Sequence, residues 1–328
     1  MRRSRFAAAF AAAAAVLAGA GCSRGPRVFV SNERSGTITV IDGRTNRVTG
    51  TIEVGSRPRG VVWSNGRLSV ALTDQNTRRP GAVSAIVEVG GSSGTVRRFP
   101  GGTDPEGIAA SPDGAVVYVS NEDASAASIV DAKAGRVLET LTVGIEPEGV
   151  AASPDGRWVY VTAETSGTVT VIDTAKRAVV ANVEVGQRPR SAAFSPDGRR
   201  AYVTAELGAG VTLIDVAGGH RAVRTVPVAP PARPCGVVVS PDGRTVYVAT
   251  GRGNSVAVLD AETLAERGRI PVGQRPWGIA LGDGGRRLYT ANGVSNDVSV
   301  IDTAAGRVLA TIKAGDGPWG VAVEGREH

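Results

Sequence analysis

The chain has 328 residues, 44 of them glycine, with 4% aromatic residues and a formal net charge of +6. Abundant Val, Thr and Gly suit many short strands joined by tight turns. Half of the positive excess is Arg2, Arg3 and Arg5, and what remains is too weak for a nucleic-acid surface without a basic stripe; two cysteines exclude a disulfide framework.

Arg2-Arg3-Ser4-Arg5 is a cationic start, Phe6 to Leu17 an Ala-rich apolar core, and Ala18-Gly19-Ala20-Gly21 a small-residue exit. Residues 1–21 therefore predict a bacterial export signal, too short for a comfortable membrane span. Cys22 follows at once, and Leu17 to Cys22 resembles a lipoprotein processing site, with Gly19 where Leu is usual. The expectation is an exported periplasmic or cell-envelope protein, lipidated at Cys22 and touching the membrane only through that anchor. Cleavage after Ala20 is the alternative. Residues 22–27 read as a short tether.

From Val28 onward a unit repeats seven times. Its marker is a short apolar strand, first Val28-Phe29-Val30-Ser31-Asn32, then Val117-Tyr118-Val119-Ser120-Asn121. It returns around Tyr160, Tyr202, Tyr247 and Tyr289, and a degraded copy, Val70-Ala71-Leu72-Thr73, fills the gap. Intervals of about 42 residues match a four-stranded propeller blade. Ser-Pro-Asp-Gly turns at Ser111, Ser153, Ser195 and Ser240 separate the first and second strands of a blade. The fold predicted for residues 28–326 is all-β, a seven-bladed propeller of four-stranded antiparallel blades, with strands a to d running from axis to rim. The chain begins at a b strand and ends on the a strand Pro318 to Val323, so the C-terminal strand completes the N-terminal blade. Blade 2 departs from the pattern, lacking the aromatic and carrying an insert from Asp74 to Gly81.

The strands around Tyr118, Tyr160 and Tyr202, followed by Val-Ile-Asp strands, resemble the YVTN-type seven-bladed propellers. A narrower resemblance is to propellers associated with pyrroloquinoline-quinone-dependent catabolism. It rests on Val185 to Arg190, Val272 to Trp277 and Asn292 to Asp302. It implies an exported accessory protein linked to quinoprotein oxidation and supplies no catalytic residues.

Loops leading into strand a share one face with the b–c hairpins, and loops on a rigid scaffold are where function concentrates. Each leads through an inlet proline: Pro58, Pro105, Pro147, Pro189, Pro234, Pro276 and Pro318. Flanking residues include Arg57, Arg59, Arg188, Arg190, Arg233, Arg275, Trp277 and Trp319, which suit a flat anionic ligand through stacking and bidentate hydrogen bonds. Acid is confined to Asp104, Glu106, Glu146 and Glu148. A second ring, Glu33, Asp74, Glu122, Glu164 and Glu206, comes from the b–c hairpins. The alternative use of these charges is mutual pairing, with each Trp plugging the mouth of the axis.

Catalytic chemistry is sparse. His220 and His328 cannot form a metal or haem site, and Cys235 has no histidine near it in sequence. No cofactor and no metal ligand set is expected. The reading is a non-enzymatic binding or accessory module of the cell envelope, with a dehydrogenase or cytochrome as protein partner and a small anionic molecule as a further ligand. The alternative is a metal-dependent lactonase-like hydrolase using axial carboxylates such as Glu106 and Glu148.

Overall fold

The computed structural model describes residues 25–73, 85–90 and 96–325. Cys22, Asp74, His328 and the blade 2 insert lie outside them. Seven four-stranded antiparallel sheets are arranged as blades. Blade 1 is assembled from both ends of the chain: strand a is Pro318–Val323, b is Arg27–Asn32, c is Thr37–Asp42 and d is Arg47–Glu53. Val28 pairs with Val323, Phe29 with Ala322 and Val30 with Val321. Arg27 then seals the joint, donating from Nε and Nη2 to Glu324 at 2.7 Å each. Fork-like pairing of this kind is stronger than a single ion contact.

The repeat has a physical meaning at each marker position. Its aromatic residue is core: Phe29, Tyr160, Tyr202 and Tyr289 are all at most 2% exposed. The tyrosine hydroxyl reaches the next blade, Tyr202 donating to the Ala261 carbonyl at 2.8 Å and Tyr160 meeting His220 Nδ1 at 2.8 Å. In blades 1, 3 and 5 the Ser or Thr two residues on is an inter-blade clip. Ser31 Oγ accepts the Gly320 N–H at 2.8 Å and donates to the Arg59 carbonyl of blade 2 at 2.6 Å. Ser120 does the same between Gly107 and the Glu148 carbonyl, and Thr204 donates to the Cys235 carbonyl. The Asn that follows ties strand b to c, Asn121 Nδ2 donating to Ser128 at 2.8 Å.

The inner strands crowd the axis through glycine. A Cβ at Gly60 would stand 2.6 Å from the Glu106 carbonyl, at Gly236 the same distance from that of Trp277, and at Gly320 from that of Arg59. Gly107, Gly149 and Gly278 lie closer still to the carbonyls of Glu148, Arg190 and Trp319. Blade 5 carries Ser191 at this position.

Blade 2 replaces the aromatic with Ser69, and opposite it on strand c stands Glu88. Glu88 is 4% exposed and held by Arg67 at 3.2 Å and Arg97 at 2.8 Å. Phe29 is instead stacked by Trp63 from strand a of blade 2, with ring centroids 5.2 Å apart. The degraded copy is thus a blade whose core aromatic has been exchanged for an ion cluster.

Candidate functional site at the axial mouth

Strand a of each blade begins at the inlet proline: Pro58–Ser64, Pro105–Ala110, Pro147–Ala152, Pro189–Phe194, Pro276–Gly282 and Pro318–Val323, with blade 6 regular only over Val237–Val239. The residue before the proline is left-handed at Arg57, Asp104, Glu146, Arg188, Arg275 and Gly317, with φ between 45° and 68°. For a residue with a Cβ this conformation costs about 1–3 kcal/mol. The carbonyl of the residue after the proline is the one that a neighbouring blade's hydroxyl clips at Arg59, Glu148 and Cys235.

These side chains assemble into two ion clusters. The first joins blades 1 to 3. Arg57 Nε donates to Glu33 at 3.1 Å and its two terminal nitrogens stand 3.5 Å from Asp104 and Glu106. Arg59 donates to the same Glu33 oxygen at 2.9 Å and pairs directly with Glu106. Glu122 completes the group, since one carboxylate oxygen each from Asp104, Glu106 and Glu122 lies within 4.8 Å of the others. Four carboxyl groups therefore face two guanidiniums. Glu106 is 0% exposed, and its Oε1 has no hydrogen-bond partner. Burial pushes its pKa up to about 8; Arg59 opposes the rise and Glu122 adds to it.

The second cluster joins blades 4 to 7. Arg190 pairs with Glu148, Glu164 and Glu206, the last at 2.7 Å. Arg188 donates to Glu164 at 2.6 Å, and Arg275 stands 3.4 Å from Glu206. Arg233 reaches the Glu206 carbonyl at 3.5 Å. Burial, and then Glu164 beside it, pushes the Glu148 carboxyl well up, against the pull of Arg190. Glu146 is exposed and accepts from Thr165.

Trp277 and Trp319 close the other side. Trp277 lies under Arg275 at 4.5 Å and Arg190 at 5.4 Å, and Trp319 under Arg59 at 5.6 Å. Between them runs a cavity of about 150 Å³ along the axis, lined by Glu148, Arg190, Cys235, Trp277 and Trp319 among others. Cys235 is 3% exposed, its Sγ 3.2 Å from the Arg233 carbonyl, and burial drives its pKa upward, so it is a packed thiol.

The flanking residues singled out in the sequence thus converge on one mouth, and of the hairpin acids Glu33, Glu164 and Glu206 pair with the inlet arginines. The mutual pairing expected as the alternative is present, Arg59 with Glu106 and Arg190 with Glu148; the further reach of Arg190 to Glu164 and Glu206, from two blades, was not read from the sequence. The carboxyl trio at Asp104 also escaped notice as a unit, although each member was visible in its own ring.

Chemically, the mouth offers hard oxygen donors, buried carboxyls of raised pKa and fixed guanidinium donors. The class defined is a seven-bladed propeller with a charged axial mouth. The chain belongs to the lactonase/SMP-30-type propeller family: the family described as "SMP-30/Gluconolactonase/LRE-like region" matches residues 10–207, and "Lactonase, 7-bladed beta-propeller" matches residues 173–324. The narrower quinone-linked subfamily does not emerge from these matches. Among solved structures, the chain is similar to hydrazine synthase of Kuenenia stuttgartiensis (25% identity, 84% of this chain and 92% of that one, TM-score 0.75). It also resembles the periplasmic gluconolactonase of Pseudomonas aeruginosa (21%, 92% and 99%, 0.73). A third likeness is to a putative 6-phosphogluconolactonase of Bacteroides uniformis (19%, 92% and 100%, 0.75). No curated protein matches the chain.

Proposed function

We propose that this chain is an exported, envelope-located hydrolase of small lactones, acting at the axial mouth. The observation that carries the reading is the pair of buried carboxyls, Glu106 and Glu148, at equivalent positions of adjacent blades. Each has a raised pKa and each is faced by a guanidinium. A buried carboxyl whose pKa is raised can hold a proton and pass it to a leaving oxygen. Glu148 lines the cavity and is the group placed to do so; Arg190 beside it is a fixed donor for charge developing on a carbonyl oxygen. The family likeness to lactonases supports the same reading.

Asp104, Glu106 and Glu122 suit a hard divalent cation, because the ligands are all carboxylate oxygens and Glu106 Oε1 is buried with no hydrogen bond made. Such an ion, when bound, would polarise a carbonyl. The chain's own groups hold the substrate: Trp277 and Trp319 form its apolar walls, and Arg190 and Arg59 its polar side.

The test is release of acid from glucono-δ-lactone and related lactones by the purified protein, with and without added Ca²⁺. Glu148→Gln is expected to lower the rate by about 10²-fold or more. Hydrolysis no faster than the buffer background, with and without the metal, would end the enzymatic reading.

One observation favours a second reading, a non-catalytic binding module. The arginines are occupied by glutamates, and the cavity is smaller than the roughly 300 Å³ of ordinary ligand pockets. In that reading the mouth is a rigid mixed-charge surface for a dehydrogenase, a cytochrome or a flat anionic quinone. Saturable quinone binding lost in Trp277→Ala, in protein without lactonase activity, would select it.

A further inference from the structure

Blade 4 carries two acids on adjacent strands, Glu148 on strand a, just past the inlet proline, and Glu164 where strand b turns into the b–c hairpin. Both side chains are buried, and Glu148 lines the axial cavity. A single nitrogen, Arg190 Nη1, pairs with Oε2 of Glu148 and with Oε1 of Glu164, and the two carboxyls hydrogen-bond to each other. An ionised carboxyl can only accept, so a hydrogen bond between two of them requires that one be protonated.

The supply of donors decides which carboxyl carries the proton. Glu164 has a guanidinium on each oxygen, Arg190 on Oε1 and Arg188 Nε on Oε2 at 2.6 Å. Glu206, the third acid of the cluster, is met by Arg190 at 2.7 Å and by Arg275 at 3.4 Å. Glu148 has Arg190 on Oε2 alone, and its Oε1 accepts no N–H among the described residues. Charged donors favour the ionised form, so Glu164 and Glu206 stay carboxylates and the proton rests on Glu148. Titration leans the same way. Burial, and then Glu164, raises the Glu148 pKa; at Glu164 burial is outweighed by Glu148, Arg190 and Arg188, and the pKa is lowered.

We propose that Glu148 and Glu164 are an acid pair sharing one proton, with Glu148 delivering it into the cavity and Glu164 the positioning residue that keeps it there. The use of the pair rests on the proposed lactone hydrolysis; its existence does not. In that reaction the water oxygen bonds to the lactone carbonyl carbon, the acyl–oxygen bond breaks, and the Glu148 proton passes to the leaving ring oxygen. The proton lost by the water returns to Glu148, where Glu164 again accepts its hydrogen bond. Lactone and water give the open hydroxy acid, and the pair ends as it began. Glu164 touches no substrate atom in this sequence; its charge sets how firmly Glu148 holds the proton.

Infrared titration reads this proton without any substrate. At about pH 6 an ordinary glutamate, with a pKa near 4.3, is ionised, and a carboxylic acid C=O band reports the groups that are not. Glu106→Gln removes the other buried acid of raised pKa, and the band is expected to persist in that variant. It should vanish in Glu106→Gln/Glu148→Gln. In Glu106→Gln/Glu164→Gln its midpoint should fall by at least about one pH unit, and Glu106→Gln/Glu164→Asp should recover most of that shift. Matching melts will show that the variants fold. Where lactones are hydrolysed, Glu164→Gln is expected to move the alkaline limb of kcat down by a similar amount with KM unchanged. Absence of the band in Glu106→Gln, its survival after Glu148→Gln, or an unmoved midpoint after Glu164→Gln would each overturn the pair. A pair that titrates as described in a protein without lactone hydrolysis would overturn the enzymatic reading alone.

Discussion

Glu106 shows how one side chain's surroundings set its chemistry. Its Oε2 faces Arg59, while its Oε1 makes no hydrogen bond and has Arg57 Nη2 at 3.5 Å; Asp104 and Glu122 stand close by. With its folded value raised to about 8 from an unfolded value of about 4.3, the neutral form is the one the fold favours. The stability this contributes is present in full below the unfolded value and gone once pH has risen through about 8. Glu106→Gln, neutral at every pH, is expected to flatten the decline in melting temperature between about pH 5 and pH 9. Parallel slopes for variant and parent would show that Glu106 is ionised throughout. The buried pairs themselves are weak evidence for stability, because desolvation offsets most of their attraction. Their persistence at the mouth fits a role in chemistry or recognition better than one in holding the ring.

At the scale of the element, the strand a glycines are set by distance to the next blade. The carbonyl of Glu148 occupies the space a side chain at Gly107 would need. Gly107→Ala must push blade 3 away from blade 4 or strain the inlet, and a loss of more than about 2 kcal/mol is expected in denaturant unfolding. A change within about 0.5 kcal/mol would mean that the inner strands can slide. Much of this level was legible in the chain itself. Proline with Gly or Ser two residues later marked every inlet, Ser-Pro-Asp-Gly marked the turns, and the b strands gave the count of blades. Blade 2 was legible only as a gap. That Glu88 answers Ser69 across the sheet follows from pairing, which no local pattern near Val70 contains. Equivalent inlet positions made the pairing of Arg59 with Glu106, 47 residues apart, legible; the same limit hid the wider clusters, in which Arg190 also takes Glu164 and Glu206.

For the whole molecule, closure is a property of two short segments. Strand a of blade 1 is the last strand of the chain, and it supplies both the Gly320 contact to blade 2 and the partner of strand b. Deleting residues from Gly317 onward should abolish the single cooperative transition rather than soften one blade, as calorimetry would reveal. A truncated protein with an unchanged melt would refute the closure described here. No helix among the described residues is long and apolar enough to cross a membrane.

The hydroxyl clip between blades has one more consequence. What Ser31, Ser120 and Thr204 grip is the main-chain oxygen of Arg59, Glu148 and Cys235, never their side chains. A fastening that ignores residue identity leaves those positions free to be rewritten. At these three inlets the propeller therefore works as a socket board, into which arginine, glutamate or cysteine can be plugged without rebuilding the frame. Diversification of specificity in such a chain can proceed one mount at a time.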